Sequence, residues 1–278
     1  MSLDVRTMIR PDLDWALDLA AAEGWNPGLD DAAAFHAADP DGFLVAALDG
    51  APVASLSIVR FGDGVAFLGL FICAPGHRGR GHGLALWHEG MARLAPAMVG
   101  LDGVPAQQAN YARSGFVRSH ATMRFTGTIA APAAGATVPL ASEHLDEVLA
   151  LDRDVTGFDR AAFMRDWLTG AESRHARVFL RDGRVVGLGV IRACREGFKI
   201  GPLVAPSEAE AEAILLDLAA RAEGAPLSLD VPEPNAAAVA MAERHGLAPS
   251  FETARMWRGP APRQDLGRTF GVATLELG

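Results

Sequence analysis

Arg78-Gly79-Arg80-Gly81-His82-Gly83 is the stretch of this chain whose residue types and spacing could do chemistry. Three glycines in six residues permit φ > 0 and let a ligand approach the main chain closely. A helix starting directly after them would aim unpaired N–H groups and a favourable dipole at an anion. Arg78 and Arg80 add charge-assisted donors for phosphate. The stretch is shaped to hold a pyrophosphate, although a plain tight turn before a helix would use the same glycines. It is not the Gly-x-x-x-x-Gly-Lys-Ser/Thr of a triphosphate loop, nor the Gly-x-Gly-x-x-Gly of a dinucleotide fold.

The elements around the loop suit that purpose. Val65 to Cys73 is a near-continuous apolar run, the mark of a buried central strand. The pattern predicts a helix over Leu84 to Leu94, a strand over Ala97 to Leu101, a helix over Gln107 to Ser114 and a closing strand over Ser119 to Thr128. Upstream, Ile9 to Ala22 reads as a strand end followed by a helix, and Asp30 to Ala38 as a second helix. Phe43 to Leu48 and Pro52 to Arg60 form a hairpin about Asp49-Gly50, a strong turn signal.

The chain then repeats itself. Asp49 recurs as Asp182, Arg60 as Arg192, Asp102 as Asp230 and Gly115 as Gly246, at offsets of 133, 132, 128 and 131 residues. Met123-Arg124-Phe125 is matched to Met256-Trp257-Arg258, shifted by one. A nearly constant offset at ordered places implies two copies of one fold. Residues 1–128 are the first unit, the small-residue stretch 129–136 a linker, and 137–278 the second unit. In the second unit helices are expected over Ser142 to Asp152, Arg160 to Thr169, Ser207 to Ala222 and Asn235 to His245. The tail Thr269 to Leu277 alternates and reads as an extra strand reaching back onto the first copy.

Composition narrows the function classes. Half of the 278 residues are apolar, enough for a core in each copy, and no apolar run approaches the roughly 20 residues of a bilayer span. The start Met1-Ser2-Leu3-Asp4-Val5-Arg6 lacks the pattern of a signal peptide. Two cysteines, Cys73 and Cys194, one per copy, exclude a disulfide framework and point to the cytoplasm. The net charge of −9 argues against nucleic-acid or anionic-membrane partners. Lys199 is the only lysine, so Schiff-base chemistry elsewhere is excluded.

Cys73-Ala74-Pro75-Gly76-His77 followed by the glycine loop and Leu84-Ala85 resembles the acyl-CoA loop of the GNAT (general N-acetyltransferase) superfamily, with Arg78, Gly81 and Gly83 as its core. Asn110-Tyr111-Ala112-Arg113-Ser114-Gly115-Phe116 is similar to the family's Tyr-x-x-x-Gly-Phe helix end. The resemblance implies an α/β chain of two tandem GNAT-like domains, each a mixed, mostly antiparallel sheet flanked by helices. It implies that Arg78, Gly79, Arg80, Gly81, His82, Gly83 and Leu84 hold the pyrophosphate of acetyl-CoA, and that main-chain groups of Phe71 and Cys73 orient its arm. Tyr111 falls where the family keeps its general acid, and a phenol of pKa about 10 can protonate a leaving thiolate. The packed-tyrosine reading stays open. The central strand carries no carboxylate, so the sequence offers no base. His77, His82, His88, water or a residue of the second copy are the alternatives. No metal is implied.

The second copy has Ala205-Pro206-Ser207-Glu208-Ala209-Glu210-Ala211-Glu212 in place of the loop and Ala242 in place of the tyrosine. Glutamates there oppose phosphate binding. This unit resembles the degenerate C-terminal domain of tandem GNAT proteins, on Leu229 to Asn235 and Arg255 to Gly259. Asp152, Asp154 and Asp159, around Gly157-Phe158, are the candidates for binding a cationic amine, against a solvated capping loop. The expected activity is acetyl transfer to a small primary amine bound between the units, in a monomer or homodimer. The alternative is a non-catalytic acyl-CoA or metabolite sensor.

Overall fold

The computed structural model describes residues 2–62, 64–94, 98–130 and 135–278. The first half runs β1 (Leu3–Thr7), α1 (Arg10–Ala22), α2 (Asp31–Ala38), β2 (Phe43–Leu48), β3 (Ala51–Phe61), β4 (Val65–Cys73), α3 (His82–Ala92), β5 (Met98–Gly103), α4 (Gln108–Arg113) and β6 (Val117–Gly127). The second runs β7 (Val138–Pro139), α5 (Leu145–Thr156), α6 (Ala161–Thr169), β8 (Arg174–Arg181), β9 (Arg184–Ala193), β10 (Phe198–Val204), α7 (Glu208–Ala219), β11 (Leu227–Pro232), α8 (Ala236–Arg244), β12 (Ala248–Arg258) and β13 (Thr269–Gly271). The hairpin about Asp49-Gly50 forms as expected, with φ of 49° and 86° at those residues, the left-handed pair that a two-residue turn needs. The expected helix from Ser142 begins later, at Leu145, after one turn of 3₁₀ helix, and runs on to a Gly157 cap at φ 79°. Half of the expected linker, 131–134, lies outside the described residues.

The strands form one continuous, mostly antiparallel sheet in the order β1-β2-β3-β4-β5-β12-β6-β11-β10-β9-β8-β7, with β13 added on β10. The halves exchange their closing strands. β12 lies between β5 and β6, and β6 lies between β12 and β11. The boundary near residue 129 therefore divides the sequence but not the sheet. Thr122 faces Thr253 at the centre of the β6–β12 pair, and these two are themselves 131 residues apart, so the crossing is close to a local two-fold.

The exchange is fastened by two equivalent buried ion pairs. Arg124 on β6 holds Asp230 of β11 through two bonds of 2.7 and 2.9 Å. Arg255 on β12 holds Asp102 of β5 through two bonds of 2.9 and 2.8 Å. Each half thus supplies the arginine for the other half's aspartate. Arg124 is therefore the counterpart of Arg255, which corrects the shifted match to Met256-Trp257-Arg258. Helices seal the same junction. α2 packs on α6, and Phe35 stacks between Phe43 and Trp167 at 6.4 Å from each. Trp167 is fully buried, with the guanidiniums of Arg174 and Arg192 each 4.6 Å from its ring centre. Truncating such a residue costs about 3–5 kcal/mol.

Candidate active site

The site begins where β4 and β5 part. These parallel strands pair from Val65–Met98 to Leu68–Leu101 and no further. On the other side of β4, two steps of β3 from Ser55 to Ser57 oppose three of β4, from Gly69 to Ile72. The extra residue makes a bulge, with Leu70 at φ 46°. The buried Ser55 hydroxyl fastens it by donating to the Leu70 carbonyl at 2.6 Å. The bulge turns the last residues of β4 away from β5 and leaves their main chain open on that side.

The glycine loop lies at the mouth of this opening. Gly79 and Gly81 take φ of 72° and 84°, and a Cβ on either would meet no atom within 4 Å. Gly81 caps α3, so the first-turn N–H groups of an 11-residue helix face the cleft. A cleft of about 750 Å³ is lined by Phe71, Cys73, Arg78, Gly79, Gly81, His82, Gly83 and Leu84. Of the nine residues expected to hold the cofactor, only Arg80 is not on its wall. Arg78 donates to the Cys73 carbonyl at 2.9 Å and pairs with Glu23. This open, donor-rich cradle fits a CoA pyrophosphate. Among the described residues no group of His, Cys, Asp or Glu is arranged to hold a metal ion, and no helix is long and apolar enough to cross a membrane.

Tyr111 stands on α4, where the cleft meets a second space. Its ring lies 5.7 Å from Trp87 and 6.3 Å from Phe116, and Trp87 lies 5.4 Å from Phe71. Burial pushes the phenol up to about 12, so it keeps its proton at any working pH. Burial also pushes the Cys73 thiol up, against the pull of Arg78 and the Gly83 N–H. Cys73 is thus a poor thiolate and a poor nucleophile.

The second space is a narrow cavity. It shares Trp25, Phe71, Trp87, Val104, Gln107 and Tyr111 with the cleft. Its far wall comes from the second half: Phe251 and Thr253 on β12, and Leu275 and Glu276 of the tail. Arg124 of β6 and several residues of the second half set Trp25 in place. The Trp25 carbonyl accepts from Arg124 at 3.1 Å and from Lys199 at 2.7 Å. Asn26 exchanges two bonds with Glu196, and Leu29 N–H donates to Ala193. Lys199 is buried, and burial, then Arg124, lowers its ammonium to about 8.

Asp152, Asp154 and Asp159 are elsewhere, and the expectation that they bind the acceptor is corrected. Asp152 is buried in a two-bond pair with Arg160, at 2.8 and 2.9 Å. Asp154 pairs with Arg268 at 2.8 Å, and Asp159 accepts from the Ala161 N–H at 2.8 Å. Each charge is answered locally, and none lines the cavity. Glu276 and Thr253 do line it. Sequence reasoning missed both, the alternating tail being the one hint of the first.

In the second half the equivalent opening is filled. β10 and β11 pair from Phe198–Leu227 to Ile200–Leu229 and then part. β13 pairs with β10 at Leu203 and Val204, and Val272 N–H donates to the Asp230 carbonyl at 2.9 Å. Asn235 holds this insert by donating to the carbonyls of Gly267 and Thr269 at 3.2 and 3.0 Å. Glu208, Glu210 and Glu212, where the loop would be, pair with Arg244, Arg181 and His245.

Comparison with known proteins agrees with this geometry. Residues 10–116 match the acetyltransferase (GNAT) family and residues 148–271 match an acetyltransferase (GNAT) domain. The chain is 33% identical over 270 residues to holothin acyltransferase of Pseudoalteromonas sp. (strain SANK 73390), covering 95% of this chain and 90% of that protein. Its fold matches a putative acetyltransferase from Pyrococcus horikoshii with a TM-score of 0.83 at 21% identity, over 99% and 96% of the two chains. It also matches a tandem GNAT protein from the clavulanic acid biosynthesis pathway, TM-score 0.65 at 18% identity, over 93% and 99%. The chain belongs to the GNAT family, as a tandem acyltransferase whose first half keeps the glycine loop and whose second half has lost it.

Proposed function

We propose that the protein transfers an acetyl group from acetyl-CoA directly to a small primary amine, the acceptor lying between the two halves. The observation that carries this reading is the junction of two spaces at Phe71, Trp87 and Tyr111: an open cleft with an anion cradle and a smaller cavity with aromatic walls. Acetyl-CoA would supply an activated carbonyl and a thiolate leaving group. The loop Arg78 to Leu84 binds its phosphates, and the main chain of Phe71 to Cys73, no longer paired with β5, directs the thioester toward the cavity. Tyr111, protonated at every working pH, donates to the sulfur as negative charge builds there. Cys73, held protonated by burial, takes no acyl group, which supports direct transfer in a ternary complex. The small cavity and its cover by the tail favour a compact acceptor over a polypeptide. An acceptor related to the holothin of its relative suits it. Two free thiols and the acidic charge favour a cytoplasmic enzyme without nucleic-acid or membrane partners.

A free-thiol assay tests the reading. Purified protein with acetyl-CoA is offered holothin, arylamines, alkylamines and amino acids. Thiol release with one amine class, falling roughly 10²-fold or more in Tyr111→Phe, is expected. Tight CoA binding without release from any amine would contradict it.

A further inference from the structure

The proposed transfer leaves a proton on the acceptor nitrogen with no named destination. The residues after β13 supply one. Arg192 donates to the Ala273 carbonyl at 3.2 Å, and the chain then crosses β4 at Gly69. A Cβ on Gly69 would overlap the Glu276 carbonyl and lie 2.9 Å from its Cα, so only glycine lets the tail pass. At the end, Gly278 packs on Phe67 and its carbonyl accepts from Arg160. The Asp152–Arg160 pair thus serves as the anchor of the tail. The tail is fixed at both ends with Glu276 between them.

Glu276 is 7% exposed and lines the acceptor cavity. Its Oε2 accepts from the Thr274 hydroxyl. Among the described residues it makes no ion pair. The charged groups nearby are committed elsewhere: Arg124 to Asp230, Arg192 to Asp31 at 3.3 Å, Lys199 to the Trp25 carbonyl. Asp102 lines the same cavity, but Arg255 occupies both of its oxygens. Arg124, Arg192 and Lys199 lie close enough to feel the charge of Glu276, but none contacts it directly, and a buried carboxylate without a direct partner is costly. Here it faces a cavity where an amine would supply that partner. The Thr253 hydroxyl, also on the cavity wall, is buried with no hydrogen-bond partner. The ligand that answers both is a compact amine bearing a second polar group, its flat body between Trp25, Phe71 and Phe251.

We propose that Glu276, from the tail of the second half, accepts the proton of the acceptor amine. This rests on the acetyl-transfer reading. The N–C bond forms as the C–S bond breaks; the nitrogen's proton passes to the Glu276 carboxylate and the sulfur takes one from Tyr111. Both residues then return to their starting forms by exchange with water through the cleft. The products are the amide and CoA thiol.

The test compares Glu276→Gln with wild type, using acetyl-CoA and an arylamine that stays neutral across the pH range, beside holothin. The expected result is a kcat roughly 10²- to 10³-fold lower, an unchanged KM for acetyl-CoA, and loss of the acid limb of the kcat/KM profile, with partial recovery in Glu276→Asp. A purely structural Glu276 would leave the limb in place. A Glu276→Gln enzyme within about threefold of wild type, with the same pH profile, overturns the proposal. Should the variant fail to bind CoA, the wild-type profile with the neutral arylamine decides: an acid limb supports a carboxylate base and a flat profile overturns it. Thiol release kept in the variant sinks only the role of Glu276. No release by wild type with any amine sinks the acetyl-transfer reading with it.

Discussion

Beyond Leu68 the strands β4 and β5 part and leave a cavity. Beyond Ile200 the strands β10 and β11 part in the same way and are refilled by β13. Both openings come from one strand arrangement, and what enters each decides its use. In the first half a bulge at Leu70 and a glycine loop keep the space free for a ligand. In the second half the chain's own segment fills it, pinned by Asn235, while glutamates replace the phosphate donors. The residues after the plug then run on to the open half and form one wall of its cavity. A duplicated half whose own opening is filled thus still contributes a wall to the cavity of the other half.

The comparison can be broken first at the exchanged strands. Arg255→Ala leaves Asp102 buried without its partner, and Arg124→Ala does the same to Asp230. Each is expected to lower stability by about 3–5 kcal/mol, read as the urea midpoint. Near-equal losses would confirm that the two pairs are equivalents; a loss below about 1 kcal/mol in either would break the equivalence. Arg124→Ala also removes one of the two bonds to the Trp25 carbonyl and is expected to raise the acceptor KM.

His120, on β6 and opposite Arg255, gives the next effect. Burial first, then Arg255 and Arg118, lower its pKa to about 4. The fold therefore favours neutral imidazole, while the unfolded chain takes a proton near pH 6.5. Stability is complete above about pH 6.5 and falls as pH drops toward 4, by about 3 kcal/mol from this group. His120→Gln should flatten that decline between pH 6.5 and 4.5 in denaturant titrations. An unchanged decline would remove His120 from the account.

Smaller effects sharpen the contrast between the two loops. Gly81→Val forces a branched residue to a φ of 84° and puts its side chain into the cleft, a strain of about 1–3 kcal/mol. CoA affinity should fall about tenfold or more, with the fold intact by circular dichroism. Ser207→Gly in the second half should change nothing. Smallest of all, Asp154→Asn breaks only a half-exposed pair with Arg268, worth about 0–1 kcal/mol. Its acetyl-transfer rate should stay within about twofold of wild type.

The glycine loop and the helix behind it were legible because their constraints are local. Glycines at positive φ, the helix directly after them and the Tyr111 helix all lie within a short run of sequence. The repeat was legible from its offsets, but the strand exchange was not. Pairing of β6 with β11 and β12 joins residues 100 or more positions apart, and a closing strand reads the same whichever half receives it. The three aspartates were given a place at the site that they do not take, for a related reason. Asp152, Asp154 and Asp159 stood out as a cluster of charge, yet Arg160, Arg268 and the Ala161 N–H answer each one. Glu276 stands alone in a tail, and only the three-dimensional passage of that tail over Gly69 gives it a place.

The most direct measurement is a calorimetric titration of the whole chain with CoA. An open first half and a filled second half predict one CoA per chain, and binding that weakens about tenfold or more in Gly81→Val. Two CoA molecules per chain, or one whose affinity Gly81→Val leaves unchanged, would contradict the assignment of the two halves.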